Sequence, residues 1–228
     1  MTTRVGIFGG SFNPPHVGHL RAAVEVREAL RLALVEMVPV AVAPHKPEAD
    51  MLPAAFRLRL LELSLAGVPG LRACDLEMRR PGPSYTIDTL RRYAGQNPDR
   101  DLYFILGVND LLNLPHWKEG PELGRVVNLA VVPRDGLGLA EASDFLARRA
   151  GEFGLTRSGE TAWRFRDGFE LVYVDIPRID VNASLLRDKW RSGASLAGLI
   201  PGPALEALLA SGELLASRWG GFTFDSKR

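Results

Sequence analysis

The sequence predicts an α/β fold: a doubly wound, mostly parallel sheet with a small helical part at its carboxyl end. Three observations carry this. Short β-branched or apolar runs alternate with stretches of helical apolar spacing over most of the 228 residues. Glycine-rich or polar turns follow the strand-like runs, as they do where such sheets bind ligands. The first strand-like run, Val5-Gly6-Ile7-Phe8, breaks at Gly9-Gly10 and leads through a Pro-rich loop into a helix.

That opening stretch organises the chain. Val5 to Phe8 reads as a buried parallel strand. Gly9, Gly10 and Ser11 then bring main-chain donors close to whatever lies beyond the strand. The helix spans about 17–31, with Leu20, Ala23, Val24, Arg27 and Leu30 at helical spacing. His16 and His19 share one face at its start, with Gly18 keeping the surface between them open. A helix amino terminus attracts phosphate, and two imidazoles add donors to it.

The following elements are read in order. A second strand over 35–42 completes a βαβ unit, which implies a parallel sheet and a right-handed crossover. Lys46 follows it, on the edge where α/β proteins bind ligands. A helix over 54–66 turns Phe56, Leu60, Leu63 and Leu65 inward, and Arg57, Arg59 and Glu62 mostly outward. A short strand over 71–75 leads to a helix running through Arg92 and capped by Ser84 or Thr86. The strand over 101–107 ends at Gly107-Val108-Asn109-Asp110, which opens another helix ahead of Trp117. A strand over 126–133 ends before Arg134. Residues 140–153 are helical, 156–168 form a loop or hairpin, and 170–176 return to strand. Asn182 caps a helix containing Ser184 and Arg187, and Pro201 opens a last helix closed by Gly212. The expectation is a single domain over 1–228, with the helical part at about 181–215.

Bulk composition narrows the function. The 46% hydrophobic content is that of an ordinary globular chain, and 28 basic against 27 acidic residues leave a net charge of +1. No polybasic field points to bulk nucleic acid or to a membrane. The single cysteine, Cys74, allows neither an internal disulfide nor a cysteine metal cluster. The first strand starts too early for a signal-peptide core, and no apolar run is long enough to span a bilayer, so a cytoplasmic protein is expected. The dinucleotide fingerprint GxGxxG is missing after the first strand, which counts against a dehydrogenase.

Gly10 to His19 resembles the GxFxPxHxGH signature of the nucleotidyltransferase superfamily that shares HxGH with class I aminoacyl-tRNA synthetases. Pro44-His45-Lys46, the string PSYTIDTL from Pro83 to Leu90, Leu106-Gly107-Val108-Asn109, Trp117 and Asp180 to Arg187 occur in the order seen in bacterial nicotinate mononucleotide adenylyltransferases. The resemblance spans Val5 to about Leu215 and implies a Rossmann-like nucleotidyltransferase fold. It also implies adenylyl transfer from ATP to nicotinate mononucleotide in NAD biosynthesis, with release of pyrophosphate.

Carried onto this sequence, the resemblance puts Gly9, Gly10, Ser11, Phe12, His16, His19, Gly107, Asn109, Ser184 and Arg187 at ATP. Lys46, Ser84, Tyr85, Thr86, Trp117 and Arg134 fall to the mononucleotide, with Trp117 stacked on its ring. His16, His19, Lys46 and Arg187 are the expected catalytic set, neutralising charge that grows on the transferring phosphates. Mg²⁺ is expected to be held through the ATP phosphates and water, with no protein metal cage. Four positions depart from the family pattern. Asn13 and Asn109 stand where aspartate is usual, and Asn182-Ala183 stand for two serines. Nicotinate against nicotinamide is left open, as is homo-oligomerisation. Other phosphorylated acceptors and a non-catalytic nucleotide sensor are the alternatives. Aminoacylation of tRNA fails, because the chain is short and lacks a KMSKS-like loop and an anticodon-binding domain.

Overall fold

The structure is a computed structural model that describes residues 2–43 and 48–221. Its elements run β1 (Thr3–Gly10), α1 (Val17–Ala29), β2 (Leu34–Pro39), α2 (Ala54–Leu65), β3 (Leu71–Ala73), α3 (Thr86–Gln96), β4 (Arg100–Gly107) and α4 (Val108–Asn113). They continue as β5 (Asn128–Val132), α5 (Leu139–Phe153), β6 (Leu155–Arg157), β7 (Ala162–Phe165), β8 (Glu170–Tyr173), α6 (Ala183–Arg191), α7 (Gly202–Leu209) and α8 (Gly212–Trp219).

All eight strands form one sheet in the order β3-β2-β1-β4-β5-β8-β7-β6. Pairing is parallel from β3 through β8, and antiparallel where β7 joins β8 and β6 joins β7. The chain leaves β1 towards β2 and β3, then crosses back to lay β4 on the other side of β1. The connections from β1 and β4 therefore part company beyond the strands' carboxyl ends. A crevice opens at such a switch point.

Successive side chains of a strand face opposite layers, and the burial follows that rule. Val5, Ile7, Phe104 and Leu106 pack with Ile87 and Leu90 of α3 and with Phe145 and Leu146 of α5. Phe8, Met37 and Ile105 pack on the other side with Ala22, Ala23 and Val26 of α1 and Leu61 of α2. A third cluster joins Leu60 of α2 to Val181, to Leu186 and Trp190 of α6, to Leu208 of α7 and to Trp219 of α8. It holds the carboxyl-terminal helices against the mouth of the crevice.

The segment 156–168, expected as a loop or hairpin, carries the β6–β7 hairpin, which ends the parallel sheet with an antiparallel edge. Other expectations are corrected. Gly212 does not close the last helix: α7 ends at Leu209 with Ala210 as its C-cap, and Gly212 starts α8, which buries Leu215 and Trp219. Neither Ser84 nor Thr86 caps α3 through its side chain. Tyr85 holds the cap position, and the Ser84 hydroxyl instead accepts from the Ala41 and Val42 N–H groups. Arg57 does not face outward. It is 1% exposed, because its guanidinium finds backbone carbonyls inside.

Candidate active site

The crevice beyond β1 and β4 is a cleft of about 1040 Å³. At its floor the end of β1 presents Gly9, Gly10 and Ser11. The loop after them is fixed by buried polar groups. Asn13 is 2% exposed; its Nδ2 donates to the Asp50 carbonyl at 2.8 Å, and its Oδ1 accepts from the Leu52 N–H at 3.0 Å. Arg57 donates to the carbonyls of Ser11 (2.7 Å), Val40 (2.6 Å) and Leu52 (2.9 Å). One buried guanidinium thus ties the turns after β1 and β2 to the start of α2. Burial lowers its pKa to about 10, so it stays charged at neutral pH. Phe12, at φ +44°, is fully buried and does not line the cleft; its ring meets His19 edge-on at 4.9 Å.

The two histidines occupy different environments. His19 lines the cleft. His16 is 0% exposed, stacks on His19 with ring centroids 3.6 Å apart, and has no partner at either ring nitrogen. Burial first, then the Arg134 charge, lowers its pKa to about 3. His16 is therefore a neutral imidazole at neutral pH, with one ring nitrogen to donate and the other to accept, and it adds no positive charge to the cleft. Gly18 keeps α1 close to the α6 side of the cleft, where an added Cβ would lie 2.9 Å from Val181 Cγ1 and 3.2 Å from His16 Nδ1.

On that side the α6 amino terminus is capped as expected, Asn182 Oδ1 accepting from the Leu185 N–H at 2.9 Å. Arg187 reaches back across the chain to donate to the Asn13 carbonyl and to the Ser184 hydroxyl, each at 3.0 Å. Its buried Nε has no partner, and burial lowers its pKa. Arg187 and Ser184 stand behind the cleft wall, which is formed there by Asp180, Val181 and Asn182.

Beyond β4, Gly107 and Asn109 line the cleft. A Cβ at Gly107 would fall 2.5 Å from Asn109 Oδ1 and 2.9 Å from Arg134 Cβ, so only glycine lets these two approach. Asn109 Nδ2 donates to Asp135 at 3.3 Å, while its buried Oδ1 has no partner and remains an acceptor. Asp110 also lines the cleft. At the far end stand Ser84, Tyr85, Thr86 and Trp117, where Thr86 begins α3. Ser84 pins this end to the loop after β2, since its N–H also donates to the Val42 carbonyl at 2.9 Å. Arg134 lines the cleft on the β5 side.

The fold thus brings Gly9, Gly10, Ser11, His19, Ser84, Tyr85, Thr86, Gly107, Asn109, Trp117 and Arg134 to one cleft. His16, Phe12, Ser184 and Arg187 support it from behind, and Lys46 lies outside the described residues. Sequence reasoning missed Arg57, Lys118 and the paired Arg178 and Asp180, 2.6 Å apart at the cleft wall. Arg57 had one signal, a cation inside an apolar helical run that starts just after Pro53. Among the described residues, no group of three or more His, Cys, Asp or Glu is arranged to hold a metal ion. No helix among them is long and apolar enough to cross a membrane.

Residues 7–189 match the cytidylyltransferase-like family model. A probable nicotinate-nucleotide adenylyltransferase of Maridesulfovibrio salexigens is 32% identical over 216 residues, covering 95% of this chain and 99% of that one. The chain belongs to this family. Within it, a second probable nicotinate-nucleotide adenylyltransferase, from Synechococcus sp., is 36% identical over 203 residues, or 89% of this chain and 90% of its own. The family fold is seen in a solved structure of Plasmodium falciparum nicotinic acid mononucleotide adenylyltransferase complexed with NaAD. Its TM-score is 0.73 at 15% identity, over 93% of this chain and 97% of that one.

Proposed function

We propose that this chain transfers the adenylyl group of ATP to nicotinate mononucleotide, giving nicotinate adenine dinucleotide and pyrophosphate in NAD biosynthesis. The observation that carries the reading is that one continuous cleft joins the HxGH turn of α1 to the aromatic end at Tyr85 and Trp117. A polyanion fits the first end and a flat heterocycle the second.

The mononucleotide 5′-phosphate is already a nucleophile at neutral pH. Its oxygen attacks the α-phosphorus of ATP, the bond to the bridging oxygen breaks, and pyrophosphate leaves with that electron pair. No protein base is required, so the protein's part is to position two polyanions and match the charge spreading over the transferring group. In this reading His19 and the main chain at Gly9, Gly10 and Ser11 hold the ATP phosphates. Neutral His16 stacks behind His19 and fixes its ring, and Arg134 supplies positive charge from the β5 side. Arg187 supports the α6 side from behind the cleft wall through its bond to the Asn13 carbonyl, and Lys46, outside the described residues, is assigned as a further cation. Asn109 Oδ1 is available to a ribose hydroxyl.

The donor set suits a hard divalent cation carried in on phosphate oxygens, because the carboxylates lining the cleft, such as Asp110 and Asp135, are too scattered to form a cage. Mg²⁺ bound that way would neutralise charge on the leaving pyrophosphate.

Pyrophosphate release from ATP and Mg²⁺ tests the reading, with nicotinate mononucleotide, nicotinamide mononucleotide and phosphopantetheine offered separately. A strong preference for nicotinate mononucleotide is expected. Preference for phosphopantetheine would overturn the acceptor, and ATP binding without release under any condition would favour a nucleotide sensor.

A further inference from the structure

One carboxylate at the β4 and β5 ends of the cleft has no part in the chemistry above. Just past β5, Arg134 to Leu137 closes a tight turn. The Arg134 N–H donates to the Leu137 carbonyl at 3.1 Å, and the Leu137 N–H donates to the Arg134 carbonyl at 2.9 Å. Between them, Asp135 and Gly136 have φ of +52° and +82°. Positive φ at both central positions marks a type I′ turn, which Asp-Gly suits. The turn presents the Asp135 side chain to the cleft with 52% of it accessible. There Asn109 Nδ2 donates to Asp135 Oδ2 at 3.3 Å. Arg134 Nε lies 3.8 Å from Oδ1, beyond hydrogen-bond distance.

An ionised carboxylate is an acceptor only, with about four lone-pair sites, and Asn109 takes one of them. Asn109 itself offers one acceptor, Oδ1, because its Nδ2 is turned to Asp135. A ribose brings two neighbouring hydroxyls, each a donor. We propose that Asp135 is a substrate-binding residue whose carboxylate accepts one hydroxyl of the ATP ribose, next to the hydroxyl held at Asn109. The Asn109 bond aims the carboxylate, and the turn stops it from swinging away. This inference rests on the reading that places ATP along Gly107 and Asn109.

The test is kcat/KM of the full chain for ATP, 2′-deoxy-ATP and 3′-deoxy-ATP, with nicotinate mononucleotide saturating. The wild type, Asp135→Gly and Asp135→Asn are compared. Glycine adopts φ +52° freely and asparagine tolerates it, so neither substitution strains the turn. The wild type should prefer ATP about tenfold over the deoxy nucleotide that lacks the Asp135 contact, the value of one hydrogen bond to a charged group. In Asp135→Gly that preference should fall to within about twofold, mainly through the KM for ATP, while the preference over the other deoxy nucleotide persists. Asp135→Asn keeps an acceptor without the charge and should keep about threefold. A merely structural role would lower all three nucleotides alike, so unchanged ratios in Asp135→Gly would overturn the assignment. So would a rise in the KM for nicotinate mononucleotide with the KM for ATP unmoved. If Asp135→Gly fails to fold, full wild-type ratios in Asp135→Asn would overturn it as well. A wild type that releases no pyrophosphate with either pyridine mononucleotide would overturn the functional reading, and this inference with it.

Discussion

The rings of His16 and His19 stack at 3.6 Å between centroids and 27° between planes, and the His16 backbone N–H donates to His19 Nδ1 at 3.3 Å. Because Nδ1 accepts, a neutral His19 carries its ring proton on Nε2. One backbone bond thus sets which nitrogen of the cleft histidine is the donor. Removing that donor with His19→Ala should lower kcat about 10²- to 10³-fold, the usual loss for one preorganised donor at a charged transition state. The melting temperature should change little, since His19 is only partly buried. Steady-state kinetics beside a thermal melt check both halves, and unchanged turnover would remove His19 from the chemistry.

His16 links the site to acid stability. Its pKa is about 3 in the fold against an ordinary 6.5. Between those values the unfolded chain binds a proton that the native state refuses. The contribution is complete above about pH 6.5 and is lost as pH falls towards 3, at a slope of up to about 1.4 kcal/mol per pH unit. Urea midpoints at pH 7 and pH 4.5 should therefore fall further for the wild type than for His16→Gln. An equal fall in both would contradict the buried neutral imidazole.

Arg57 joins the two ligand-side turns through its carbonyl contacts. Arg57→Met strands those buried acceptors and should cost roughly 3 kcal/mol of stability, about the penalty for one or two unsatisfied buried groups. Arg57→Lys should recover little of it, because a point charge cannot reach carbonyls spread across a planar fork. Denaturant unfolding of both variants measures the difference.

Asn182 caps α6 at the cleft wall. Asn182→Ala should cost about 1 kcal/mol, as cap removal does. It should also raise the KM for ATP more than the KM for the mononucleotide, since α6 lies on the ATP side of the proposed site. Parallel KM measurements separate the two.

Much of the fold was legible because the strands are buried on both faces. Runs such as Asp101 to Gly107 and Val126 to Pro133 have no polar alternation to confuse them with surface segments. Helix ends were harder. Ser84 looked like a cap because serine favours that role, but tertiary contact with Ala41 and Val42 claimed its hydroxyl. Gly212 looked like a stop, yet Leu215 and Trp219 beyond it had a core to enter. The glycine and histidine residues of the opening turn were legible as a unit because their spacing is local. Arg57 and Lys118 were not, since each owes its place to partners far away in the chain: Ser11 for one, Asp88 for the other.

Adenylyl transfer itself is tested most directly by the fate of the α-phosphorus. The chain would be given ATP labelled at that position, Mg²⁺ and nicotinate mononucleotide, and the products separated. The label is predicted to pass into nicotinate adenine dinucleotide in step with pyrophosphate release. Label recovered as AMP or ADP with no dinucleotide formed would contradict the account.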